Sequence, residues 1–358
     1  MNYKRNEREA AGKKTPRGLH RRDVFKGAAA LALGAAASTI GFPAVIRSAQ
    51  AKKFLKPLVA GLNGKAGDPT VESIAMIPKI LREKYDVELQ IDVHPAGSLG
   101  TDVSHLEAVQ SGFIDITSHG SAWLAHTDAF AIADLPYVIS DWDMALRFFQ
   151  SDFHKRLASK MEGDIPVKVL PSVSGGGFRW LLNNKRQLRT PNDVQGLKFR
   201  TTQSPILQAL MRAWGGNPTS MAFPELYTAL QQGVVDGDHF QPIWVYKFNF
   251  FEVISHATDV DAVFGFAVQV LNRNTWNAMP EDIQKAFMLA AQDAADLANK
   301  QDRDFHADFV QKNKDKGMTV YTPTPREKQQ WREKGETVWA DAGVDRALID
   351  AMVALQTS

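Results

Sequence analysis

The stretch "FLKPLVAGL" (54–62), a helical run from about Thr70 to Tyr85, and "VELQIDVH" (87–94) constrain the fold more than any other part of the chain. In the second apolar segment Val87, Leu89, Ile91 and Val93 share one face, because side chains alternate across a strand. Strand, helix and strand in this order form a β-α-β unit. Further strands are expected at Ile114–Thr117, Val167–Val173, Leu197–Thr201 and Val234–Asp238, with helical stretches between them. That pattern specifies α/β layers with largely parallel sheets, whose ligands bind beyond the carboxyl ends of the strands.

The last third changes character. From Pro280, at a first helical position, to about Lys316 the sequence reads as one helix with Ile283, Phe287, Ala291, Ala294 and Leu297 close to one face. Thr324-Pro325-Arg326-Glu327 is a capping box that opens another helix through Trp331 and Val338. Long helices after alternating units suit a brace across two lobes. The 358 residues are enough for two domains, and no repeat or low-complexity tract follows residue 52.

Charge is unevenly distributed. Ten of the 42 Lys and Arg but only three of the 40 Asp and Glu fall in residues 1–51, which leaves 32 basic against 37 acidic residues, a net of −5. A mildly acidic remainder argues against nucleic acid as a partner. Residues 1–51 have the build of an export signal: Arg21-Arg22-Asp23-Val24-Phe25-Lys26, an Ala-rich apolar stretch from Gly27 to Ile46, then Ala49-Gln50-Ala51 as a small-x-small cleavage site. The twin arginine resembles a Tat signal. The expected destination is the periplasm, with cleavage near Ala51. The alternative is a permanent membrane anchor, disfavoured because the stretch is only weakly hydrophobic and Pro43 interrupts it. Cysteine is absent, so no disulfide or thiol chemistry contributes.

"GLKFRTTQSPILQAL" (196–210) places a permanent cation where a strand ends. Leu197 and Phe199 alternate with Lys198 and Arg200, and Ser204-Pro205 reads as N-cap and first helical residue. A guanidinium stays charged, and burying it without an anion costs about several kcal/mol, so a side-chain carboxylate or a ligand anion belongs beside Arg200.

At "GLKFR", "GGNPTSMAFPELYTALQQGVVDG" and "YKFNFFEV" the order of motifs resembles the substrate-binding proteins of tripartite ATP-independent periplasmic (TRAP) transporters, of the dicarboxylate-receptor type. "HPAGSLG" (94–100), "AVQSGFIDIT" (108–117), "ADLPYVISDWDMA" (133–145) and "NRNTWNAMPEDIQKAF" (272–287) extend the resemblance over nearly all of residues 54–300. It implies a two-lobed α/β periplasmic binding protein with hinge strands and a long bridging helix. The implied division is residues 52–176 with 265–304 as lobe I and 177–264 with 305–358 as lobe II. It also implies that an organic acid anion is captured between the lobes and delivered to the membrane permease subunits of a TRAP transporter; some members bind a cation with their ligand, but no metal, cofactor or catalysis is expected here, and a monomer is expected.

Carried over to this chain, the resemblance puts the ligand carboxylate on Arg200, with the helix from Ser204 aiming N–H groups at the same space, and a second arginine at Arg179 in "GGGFRWL". Asn63 in "GLNG" and Phe223 in "MAFPELY" match ligand-facing positions, and Gln203 is a candidate donor to ligand hydroxyls. Two departures stand out. "DGDHFQP" (236–242) has Phe240 where the family carries an asparagine, and Gly120 stands where sialic-acid-type members have a glutamate. Both remove polar contacts and lean towards a smaller or more apolar acid. His119, and aromatic surface from Trp123, Trp180, Trp244 and Phe240, complete the candidate lining.

Rival chemistry is weaker. Asp236, Asp238 and His239 are close enough to suggest a metal, but the loop lacks a glycine at its sixth position and has Lys247 at its twelfth, where calcium loops have Glu. No G-x-S-x-G, H-E-x-x-H or P-loop occurs. Two binding alternatives, the receptor of an ATP-driven importer and a ligand-sensing periplasmic subunit, share the trap architecture.

Overall fold

The computed structural model describes residues 52–356; the export signal and its cleavage site lie outside the described residues. Two mixed sheets form the scaffold. In the first, Ile91–His94, Leu58–Leu62 and Ile116–His119 run parallel, and Phe264–Asn272 and then Val167–Val169 follow antiparallel to their neighbours. In the second, Asn217–Ser220, Lys198–Thr201 and Gly237–Phe240 are parallel, Trp180–Asn183 is antiparallel, and His256–Thr258 with Thr319–Tyr321 complete the edge. The expectation of largely parallel sheets thus needs one amendment: each sheet is interrupted by one strand of reversed direction, next to where the chain passes between the sheets.

The β-α-β unit forms as read. Asp68 caps the helix Pro69–Tyr85, with Pro69 in its first turn, and Asp86 ends it in the left-handed conformation. The face bearing Val71, Ile74, Ile77 and Leu81 packs on Leu58, Ala60 and Leu62 and on Ile283, Phe287, Ala290 and Ala294 of the long helix Glu281–Asp315. Complete burial of a side chain such as Ile74 or Leu81 contributes about 1.5–3 kcal/mol.

Several boundaries move. Val167–Val173 is two strands, Val167–Val169 and Val173–Phe178, and the strand expected at Val234–Asp238 lies at Gly237–Phe240. Pro280 is the N-cap of the long helix, not its first residue. Leu297 is 42% exposed, and Ala298 takes the buried position instead. The capping box at Thr324 forms, but its helix ends at Glu336 and Val338 sits in a following 3-10 turn.

The passage between the sheets is an antiparallel pair, Val173–Phe178 against Phe264–Asn272, with a register shift between Gly265 and Phe266. A Cβ at Gly265 would lie 1.6 Å from Nε2 of Gln241, so a larger residue there would require the Gln241 side chain to move. The long helix fastens this pair: Asn299 Oδ1 accepts from the Ser174 amide at 2.7 Å, and Asp302 Oδ2 accepts from Ser174 Oγ at 2.5 Å and from the Gly176 amide at 3.0 Å. Near the C-terminus Trp331 O accepts from Trp214 Nε1, while Trp339 Nε1 donates to Pro136 O. No helix among the described residues is long and apolar enough to cross a membrane.

Candidate functional site

The carboxyl ends of both sheets meet at a cavity with a free volume of about 90 Å³. Asn63 reaches it directly after Leu58–Leu62, Ser118 and His119 from the end of Ile116–His119, and Asp102 from the first turn of the helix Asp102–Ser111. Arg200, one residue from the end of Lys198–Thr201, and Phe240, at the end of Gly237–Phe240, reach it from the second sheet. Arg179 stands between Val173–Phe178 and Trp180–Asn183. These are the strand ends at which open α/β sheets bind ligands.

The wall from the first sheet carries a chain of side-chain contacts, although Asn63 Oδ1 and Ser118 Oγ are buried without a partner. Thr117 Oγ1 donates to Gly61 O at 2.8 Å, so at 2.8 Å from His119 Nε2 it accepts from that ring nitrogen. The other ring nitrogen, Nδ1, lies 3.0 Å from Asp102 Oδ1. The same oxygen accepts from Asn63 Nδ2, which fixes the amide orientation. Burial works against the Asp102 carboxylate, but the hydrogen bond and charge of His119, with Arg200 and His105 adding to them, hold it below its usual range. Behind lies His105, its ring 5.5 Å from that of His119, pushed down to about 4 by burial and by the neighbouring His119.

The wall from the second sheet is looser. Arg200 is 1% exposed, donates from Nε to Met221 O at 3.0 Å and reaches Asp238 Oδ2 only at 3.4 Å. Arg179 makes one long contact, Nη2 to Ser121 Oγ at 3.5 Å, and its Nε is buried without a partner. Ser121, two residues past His119 on the first-sheet side, donates from Oγ to Asp134 Oδ1 at 2.7 Å, while Asp134 Oδ2 is buried with no partner. Burial pushes the Asp134 and Asp238 carboxyls up, against the pull of the arginines, and it pushes the Arg179 guanidinium down. Charge-assisted contacts normally measure about 2.7–2.9 Å, so both arginines are paired below capacity.

Rings line the remainder. Phe223 stacks on Phe240 with centroids 5.4 Å apart and planes 5° apart, and Trp244 meets both edge-on at 5.3 Å. Trp244 Nε1 donates to Gly175 O at 3.0 Å, so its polar handle is spent on the passage between the sheets. A Cβ at Gly120 would lie 2.9 Å from Phe266 O, which leaves no room for a longer side chain.

Seven of the eight candidates therefore share one cavity: Arg200, Arg179, Asn63, Phe223, His119, Phe240 and Trp244. Gln203 does not; it is exposed and lines an adjoining, smaller pocket with Asp102 and Thr202. Trp123 and Trp180 are buried away from the lining, so they contribute packing and not ligand surface. Ser204 caps its helix by accepting from the Leu207 amide and lies beside Asp134, outside the cavity, so that helix start serves an internal carboxylate. Among the described residues no group of three or more His, Asp or Glu side chains is placed to hold a metal ion. Asp238 faces Arg200, Asp236 accepts from the Lys198 amide at 2.9 Å, and the His239 ring meets Trp214 edge-on.

Sequence reading missed Asp102 and Asp134, and it noticed Asp238 only as a metal candidate. Asp102 in "GTDVS" reads as a first-turn acid favoured by the helix dipole, which hides its second role. Asp134 in "ADLPYV" carried a signal, a lone charge in an apolar run, of the same kind that drew attention to Arg200.

Residues 60–344 match the family model described as bacterial extracellular solute-binding protein, family 7. The C4-dicarboxylate-binding periplasmic protein DctP of Rhodobacter capsulatus is 32% identical over 260 residues, 71% of this chain and 76% of its own length. A TRAP periplasmic solute-binding protein from Shewanella oneidensis with bound succinate superposes with a TM-score of 0.79 at 25% identity, covering 84% of this chain and 98% of the other. A second, from Polaromonas sp. JS666 bound to D-erythronate, gives the same TM-score and identity over 83% and 98%.

Proposed function

The chain belongs to the bacterial extracellular solute-binding proteins of family 7, and from that membership we propose that it captures a small organic acid anion between two α/β lobes, with the carboxylate on Arg200 and Arg179. The observation that carries this reading is the pair of buried, under-partnered guanidiniums at one cavity, since a guanidinium matches a carboxylate bidentately. Similar proteins bound to succinate and to D-erythronate support the ligand class. The stacked Phe223 and Phe240 and the lack of a polar side chain at Gly120 favour a small acid with some apolar surface over a large polyhydroxylated one. His119 and Asn63 act from the opposite wall, so closing the lobes is what lets one molecule touch both.

The lobes in this reading are residues 52–176 with 265–304 and residues 177–264 with 305–358, hinged at the paired strands around Ser174 and Gly265. The receptor works in the periplasm after removal of a Tat-type signal near Ala51, and hands its ligand to a TRAP-type permease without performing chemistry on it. A thermal-shift screen over organic acids tests the binding claim: a ligand present at 100 times its dissociation constant adds about 2.7 kcal/mol to stability. A carboxylate that raises the melting temperature supports the reading; stabilisation by uncharged solutes alone contradicts it. Mass spectrometry of exported protein tests the destination, with an N-terminus near Lys52 expected and an intact Met1 in a membrane fraction as the contrary result.

A further inference from the structure

The site contains its own anions. Arg200, Asp238, Asp134 and Arg179 are 1%, 2%, 4% and 7% exposed; the two arginines line the cavity, and behind them two nearly dry carboxylates stand, Asp238 from the second sheet and Asp134 from beyond the first. On the facing wall Asp102 is engaged by His119 and Asn63. Each arginine therefore already has an internal carboxylate facing it without a ligand. A carboxylate ligand, the premise taken over from the proposed function, adds one uncompensated negative charge.

An unbalanced charge in a desolvated site is costly, and protein groups in that position change protonation instead. Two carboxylates competing for one guanidinium are the general case in which one of them takes up a proton. The slack contacts identify which one. Arg200 holds Asp238 at 3.4 Å through Nη1 only, so an incoming carboxylate can claim the guanidinium from the cavity side. The groups facing Asp238 are Arg200 from the adjacent parallel strand, Arg179 from beyond the antiparallel one, and His239 on its own strand. His239 is held neutral, well below its usual range, by burial and by Arg179, so it supplies no compensating charge. Asp134 faces Arg179, Ser121 and Ser204, and its tie to the Ser121 hydroxyl keeps it occupied independently of Arg200.

We propose that carboxylate capture by this protein is coupled to the uptake of about one proton from solvent by Asp238, so that the ligand replaces an internal counter-ion of Arg200. The protein then binds an acid in net terms, as anion plus proton. Burial has already brought Asp238 part of the way, since its carboxyl lies above the usual range before any ligand arrives. The sign follows: where Asp238 is ionised in the free protein and protonated in the complex, affinity falls about tenfold for each unit that pH rises.

Calorimetry on the full mature chain at pH 8, in phosphate and in Tris, with succinate, D-erythronate, pantoate and D-glucuronate as probes, tests this. The expected result, for whichever probe binds, is a difference in apparent enthalpy between the buffers equal to about one proton taken up. Equal enthalpies in the two buffers overturn the coupling and leave the proposed function standing. Binding by none of the four carboxylates at pH 6 or pH 8 overturns both. In Asp238→Asn the uptake disappears and the pH dependence flattens, whereas Asp134→Asn retains both. Uptake that persists in Asp238→Asn, or is lost in Asp134→Asn, overturns the assignment to Asp238. The wild-type comparison needs no variant to fold.

Discussion

The two walls of the cavity hold their polar groups in opposite ways. On the first, Asn63, Asp102, His119 and Thr117 form a chain in which His119 is bound through both ring nitrogens, at 2.8 and 3.0 Å. On the second, the side-chain contacts of Arg200 and Arg179 stretch to 3.4 and 3.5 Å, and Arg179 Nε has no partner. Asn63 Oδ1 and Ser118 Oγ on the first wall are also buried without a partner, but they are neutral, whereas the groups left short on the second wall are guanidiniums, which draw an anion more strongly. In the proposed function the first wall is a template and the second the grip.

The largest effect expected from this contrast separates Arg200→Ala from His119→Ala. Removing Arg200 leaves a captured carboxylate buried and unpaired, so carboxylate affinity should fall at least about 100-fold, a loss of about 2.7 kcal/mol or more. Removing His119 strips Asp102 of its main partner and should lower stability by about 2–3 kcal/mol, with a smaller effect on affinity. Calorimetry beside denaturant unfolding distinguishes the two. If both variants lose affinity equally and keep their stability, the division of labour between the walls is wrong.

A smaller change sharpens the same comparison. Arg200→Lys keeps the charge but loses the planar fork, so affinity should drop to a value between wild type and Arg200→Ala. An Arg200→Lys protein that binds like wild type would mean that Arg200 acts as a point charge only. Phe240→Asn tests the ring surface beside the grip: it should shift preference in a competition assay towards D-glucuronate over succinate, at a stability cost of about 1–3 kcal/mol for the lost stacking on Phe223. Unaltered selectivity would place the ligand away from those rings.

The smallest expected effect concerns the paired strands between the sheets, where Asp302 is a hydrogen-bonded acid outside the cavity. Burial pushes its carboxyl up to about 7 despite hydrogen bonds from Ser174 and Gly176. Its folded value lies above the unfolded one of about 3.9, so its contribution is fully present below about pH 4 and is lost as pH rises through about 7. Asp302→Asn should therefore gain melting temperature relative to wild type on going from pH 5 to pH 8, by a few degrees, as read by calorimetric scanning. A gap that does not change with pH would show that Asp302 is ionised throughout.

Much of this was legible in the sequence, and the residues that escaped share a cause. The β-α-β unit, the cap at Ser204 and the box at Thr324 depend on neighbours a few positions away, and the structure has all three. Arg200 announced itself because a lone cation in an apolar run demands an anion. Gln203 looked equivalent only because it is close to Arg200 in sequence, and side chains three positions apart after a strand need not face one cavity. The counter-ions Asp134 and Asp238 lie 66 and 38 residues from Arg200, and only the strand order of the second sheet and the turn at Ser121 bring them to the arginines. Local pattern cannot state such pairings; the charge it leaves unexplained can only say that one exists.

A crystal structure with whichever of succinate, D-erythronate, pantoate or D-glucuronate binds most tightly tests the division between grip and template directly. The expected result is a ligand carboxylate within hydrogen-bond distance of the guanidinium of Arg200 or Arg179, with the Asp102–His119–Asn63 chain unchanged. A carboxylate seated on Asn63 and His119, with both arginines still turned only to Asp238 and Asp134, would contradict it.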